Sequence, residues 1–170
     1  MDQKFTKKEL LDTREKWNVL TCAHVSEKGQ LDLLEWLRDQ GCPWDEKTCS
    51  YAAIGGYFNV LQWARAHGCP WDEYTCGHAA RKGYFEILKW SMDNGCPTTE
   101  WTCAEASIGG QFEVLKYLRS LDPPCPWNKM TCLYAKKLGY NDMLSWALES
   151  GCPPYVPTKK NPNDQHKLLM

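Results

Sequence analysis

No apolar run in this chain approaches the ~20 residues that a helix needs to cross a membrane. A membrane is therefore not expected as a partner. Charge of one sign is also missing, because 20 basic residues face 21 acidic ones. Such a balance supplies no broad field for nucleic acid or an anionic surface, so nucleic acid is not expected either. The opening residues, MDQKFTKKELLDTREK, hold none of the hydrophobic segment that a secretory signal requires. The expectation is an intracellular protein, in cytoplasm or nucleus, with reduced thiols.

Familiar catalytic patterns are scarce too. There is no Cys-x2-Cys pair of the kind zinc sites use; the short cysteine spacing is Cys-x6-Cys. The four histidines, His24, His67, His78 and His166, are scattered. Gly55-Gly56 and Gly109-Gly110 fall where helices should end, so they read as turns rather than a phosphate cradle. Asp45-Glu46 and Asp72-Glu73 suit the positive end of a helix better than acid–base chemistry. No metal, cofactor or catalytic residue is expected, and the chain is not read as an enzyme.

Repetition is what the chain has in quantity. GCPWDEKTC at 41–49 returns as GCPWDEYTC at 68–76, GCPTTEWTC at 95–103, PCPWNKMTC at 124–132 and GCPP at 151–154. The Thr-Cys pair falls at 21, 48, 75, 102 and 131, so the spacings are 27, 27, 27 and 29. A fixed period of this size marks a protein built from stacked repeats. We divide the 170 residues into an N-terminal capping helix (1–16), five units (17–43, 44–70, 71–97, 98–126 and 127–153) and an extended tail (154–170). Thr6 and Glu9 have the spacing of a capping box, with Phe5 and Leu10 as its staple.

The second unit shows the plan. Asp45 is placed to cap a helix that runs to Ile54 and closes at Gly55-Gly56. A second helix over 58–66 carries Phe58, Leu61, Trp63 and Ala64 on one stripe and stops at Gly68-Cys69-Pro70. Helices this short are marginal alone, so each hairpin must bury its faces against neighbours. The ten cysteines are one pair copied five times, such as Cys49 with Cys69. Cys49 shares a face with Ala52 and Ala53, where free cysteine acts as a small hydrophobe. Equivalent cysteines in successive units should stand about 10 Å apart, too far for disulfides along the stack.

The string Ala-Ala-x-x-Gly-Tyr-Phe-x-Val/Ile-Leu, at Ala52–Leu61 and Ala79–Leu88, resembles the ankyrin repeat, whose units have about 33 residues. The shorter unit, rich in Gly-Cys-Pro-Trp, is similar to ankyrin-like repeats of giant DNA viruses and some protists. The resemblance covers 17–153. It implies an all-α solenoid of five stacked helical hairpins, ankyrin-like but without the β-turn finger. It also implies that first helices line a concave surface used for protein binding.

That surface is where binding is expected. The first-helix face opposite the cysteines varies from unit to unit and is unusually apolar. Its candidate partner-binding residues are Tyr51, Ile54, Tyr74, His78, Arg81, Trp101, Ile108, Met130 and Tyr134. Trp101 stands out because it belongs to no repeating Trp column, and Trp and Tyr dominate binding hot spots. The same side chains could instead wedge between units. The expected function is a monomeric, non-catalytic protein–protein interaction scaffold with an unknown partner protein. The alternatives are an adaptor bridging a target to a larger assembly, such as a ubiquitin ligase or a virus particle, and a cysteine-dependent redox or metal protein.

Overall fold

A computed structural model describes residues 4–156. Within them the chain is all-helical, with eleven α-helices, one 3₁₀ turn and no strand. The short α1 (Lys7–Asp12) and the 3₁₀ turn (Arg14–Lys16) come first. Five pairs follow: α2 (Val19–Glu27) with α3 (Leu31–Asp39), α4 (Glu46–Gly55) with α5 (Phe58–Ala66), α6 (Glu73–Lys82) with α7 (Phe85–Asp93), α8 (Glu100–Ile108) with α9 (Phe112–Ser120), and α10 (Lys129–Lys137) with α11 (Asn141–Glu149). None of these helices is long and apolar enough to cross a membrane. All but residues 154–156 of the tail expected over 154–170 lie outside the described residues.

Each first helix begins the same way. The side chains of Asn18, Asp45, Asp72, Thr99 and Asn128 accept the N–H two residues ahead, at 2.8–3.2 Å. This satisfies one of the donors that a helix start leaves open. The junction between helices of a pair needs glycine. Gly56 has φ +78, and a Cβ there would also lie 2.7 Å from the Tyr84 ring of the next pair. Tyr57 covers Gly29, Gln111 covers Gly83 and Tyr140 covers Gly110 in the same way. Successive pairs are thereby held in register.

Neighbouring helices pack in order, an arrangement compatible with a helical repeat stack. The first helices α2, α4, α6, α8 and α10 form a row in which each packs on the next, and each second helix packs on its own first helix. One core cluster runs from Leu10 to Met143, made mainly of Cys, Ala and Leu, and a smaller cluster of Cys132, Ala147 and Cys152 closes the last pair. The expected single helix over 1–16 is broken at Thr13. The Thr6–Glu9 capping box is present. Phe5 exchanges two backbone hydrogen bonds with the Gln30 amide, and Trp17 Nε1 donates to the Leu10 carbonyl at 2.9 Å.

The unit-start tryptophans add a feature that the spacing had not suggested. Trp17, Trp44, Trp71 and Trp127 meet Trp36, Trp63, Trp90 and Trp146 edge-to-face at 5.7–6.0 Å. Arg38, Arg65 and Arg119 lie 4.0–4.1 Å over Trp44, Trp71 and Trp127. The same guanidinium groups donate to the carbonyls of Cys42, Cys69 and Cys125. Where Met92 replaces the arginine, Thr98 replaces the tryptophan. The two-residue insertion after Ser120 leaves the Arg119 contact intact, so it is absorbed in the loop.

Candidate functional site: the face of the first-helix row

Two sets of residues could carry chemistry, the paired thiols and the variable face. All ten cysteines are free and buried. In each pair the second thiol points at the N-cap carbonyl of its own first helix: Cys69 Sγ lies 3.3 Å from Asp45 O, and Cys96 Sγ 3.3 Å from Asp72 O. The first thiols, Cys22, Cys49, Cys76 and Cys103, are held protonated by contact with their partner thiols and by burial. Burial and the Cys132 thiol push Cys152 up to about 12. Nucleophilic cysteines need the opposite shift, and contact with the partner thiols Cys22 and Cys103 lowers Cys42 and Cys125 in that direction while burial opposes it. Among the described residues, no three His, Cys, Asp or Glu side chains gather as a metal site requires.

The variable face is less open than its spacing suggests. Of the nine candidate residues only Tyr74, 49% exposed, and Arg81 stand out into solvent. Tyr51, Ile54, His78, Trp101, Ile108, Met130 and Tyr134 are half-buried. On the same face Ser50, Gly77, Ala104, Glu105 and Leu133 are buried. The physical reason is the row itself. Each interior first helix has neighbouring first helices on two sides and its own second helix on a third, leaving a narrow outer strip.

Ring and backbone contacts tie the strip together. Tyr51 tilts against His24 at 5.7 Å and Tyr74 against His78 at 6.1 Å. His78 Nδ1 lies 3.2 Å from the Ser50 carbonyl. Burial lowers the His78 pKa, while the bond to Ser50 works the other way and Arg81 adds to the lowering. The imidazole is thus favoured neutral. Trp101 meets Tyr134 edge-to-face at 6.4 Å. Ile54, Ile108 and Met130 add half-buried apolar side chains to the same face.

Glu105 is the functional candidate that spacing alone does not single out. Its residue is 4% exposed, and its Oε2 is buried without a hydrogen-bond partner. Arg81 Nη1 stands 3.6 Å away. Burial raises the Glu105 carboxyl above its ordinary value and Arg81 pulls part of the way back. Burial and the Glu105 charge raise the Tyr134 phenol in turn. The available signal was a lone carboxylate in a column otherwise holding His24, Tyr51, His78 and Tyr134.

No protein-family model matches the chain, and no curated protein matches it. The class that the fold defines is an all-helical protein whose helix pairs pack in sequence order.

Proposed function

We propose that the five helix pairs are ankyrin-like repeats of a solenoid without the β-turn finger, and that the chain is a non-catalytic protein-binding scaffold. The partner protein lies along the strip centred on Tyr74, Trp101 and Tyr134. One observation carries this reading. The strip changes from unit to unit while the buried Cys, Ala and Leu columns repeat, so packing does not dictate its residues. Aromatic groups beside an arginine are the side chains that dominate protein-binding hot spots. The burial of all ten free thiols supports a packing role for the cysteines rather than a redox one.

Affinity capture from cell extract, quantified by mass spectrometry, tests the reading. Wild type and Gln62→Ala, altered on an exposed position of α5, should enrich the same protein. Tyr74→Ala and Trp101→Ala should each reduce that capture about tenfold or more, as loss of a hot-spot aromatic does. Equal capture by all four proteins would place the interaction elsewhere.

A further inference from the structure

Glu105 has a position that packing alone does not account for. A buried carboxylate is costly unless it is paired and hydrogen-bonded. Glu105 Oε2 accepts no hydrogen bond. Its cationic neighbour, Arg81 Nη1, is 3.6 Å away, longer than the roughly 2.7–2.9 Å of a charge-assisted bond. The two side chains also differ in burial, with Arg81 46% exposed and Glu105 5%. The arginine therefore reaches in from solvent and holds the carboxylate weakly. The fold does not require an anion here either. The equivalent residues His24, Tyr51, His78 and Tyr134 hold the same column without a carboxylate.

The surroundings suit a second, better-placed cation. Gly77 leaves the floor beneath the carboxylate without a side chain. A Cβ there would stand 3.5 Å from Glu105 Cγ and 3.7 Å from Trp101 Cδ1. Trp101 and Glu105 thus meet over the same spot on α6. Tyr134 borders both, touching the Trp101 ring and feeling the Glu105 charge. A carboxylate beside two aromatic rings attracts a cation by charge and by the ring faces. A guanidinium fits such a place better than an ammonium, since it is planar, weakly hydrated and able to stack.

We propose that Glu105 receives an arginine or lysine side chain of the partner protein, which displaces Arg81 and lies against Trp101 and Tyr134. This rests on the reading of the strip as a protein-binding face, and it adds the partner's chemistry. Arg81 is an internal stand-in that neutralises the carboxylate until the partner arrives. Its removal should therefore strengthen binding. An arginine that merely decorated the surface would have no such effect, and one that contacted an acidic partner would have the reverse.

The test uses short random peptides displayed on phage and selected on the full chain, followed by fluorescence titration of the synthetic winners. Selected peptides should share a fixed arginine or lysine. Glu105→Gln should weaken them about tenfold or more, the scale at which loss of one partner of a buried charge pair shows. Arg81→Ala should tighten them several-fold. Replacing the peptide's basic residue by alanine should make wild type and Glu105→Gln bind alike. Because Arg81 is exposed, its variant keeps the test decisive even if circular dichroism shows Glu105→Gln to be unfolded. Winners lost with Trp101→Ala but indifferent to Glu105→Gln and Arg81→Ala would overturn this inference and leave the binding face standing. Winners indifferent to all three changes, or no winners at all, would overturn both.

Discussion

Glu105 sets stability and binding against each other. Its raised carboxyl pKa means that the folded state holds the proton more tightly than the unfolded chain does. Between the ordinary glutamate value and the raised one, the folded protein binds more protons, so stability falls as pH climbs through that window. Glu105→Gln removes the buried charge. The variant should be more stable than wild type at about pH 7, and the difference should shrink toward about pH 3, where the carboxyl is protonated in both states. Urea unfolding at the two pH values reads this directly. A variant less stable at neutral pH would show that the Arg81 pair outweighs burial. Gly77 offers a second check. It sits inside α6, where glycine costs roughly 0.5–1 kcal/mol against alanine, and a Cβ there meets Glu105 and Trp101 only at ordinary contact distance. Gly77→Ala should raise the unfolding midpoint. Spacing placed the candidates around them, such as His78 and Trp101, on the correct helix face. It could not show that a neighbouring first helix covers part of that face, because burial by neighbours is a property of the row.

The helix pair is closed at its N-cap. The Asp72 side chain takes the Tyr74 N–H at 3.1 Å, while its carbonyl faces the Cys96 thiol at 3.3 Å. Burial raises the Asp72 carboxyl, against the pull of the Tyr74 N–H. The charge is thus an expense, and the hydrogen bond is what the helix needs. Asn18 and Asn128 fill the same place without a charge. Asp72→Ala should cost about 1 kcal/mol, and Asp72→Asn should be neutral or slightly stabilising. Thermal unfolding of the three proteins separates cap from charge. Capping residues, turn glycines and both helices of a pair were legible because each has a local chemical signature. The arginine–tryptophan pairs were not, since five residues separate Arg38 from Trp44 across a turn. The joint change to Met92 and Thr98 is the trace that pairing leaves in the sequence.

Across the whole molecule the two ends differ from the middle in a consistent way. At one end Phe5 and α1 lie against the first pair. At the other, Lys136 is exposed where Ala53, Ala80 and Ser107 are buried, and Asn141 replaces Phe58, Phe85 and Phe112. Those phenylalanines pack on the second helix of the next pair: Phe58 on Trp90, Phe85 on Tyr117 and Phe112 on Trp146, at 4.6–5.6 Å. Among the described residues the column is apolar in the pairs that another pair follows and polar in the last one. The last pair also has the smaller core, so it should open first. Timed alkylation of the native protein, read by mass, should modify Cys132 and Cys152 before the other eight thiols. Restoring the interior pattern should make that end adhesive. The double variant Lys136→Ala, Asn141→Phe should self-associate at concentrations where wild type does not, as sedimentation velocity would show. The product should stop at a dimer, because α1 covers the opposite end of the described row and the altered ends then meet as like with like. Longer assemblies would mean that α1 gives way, and no association would mean that these two columns do not by themselves make the end adhesive.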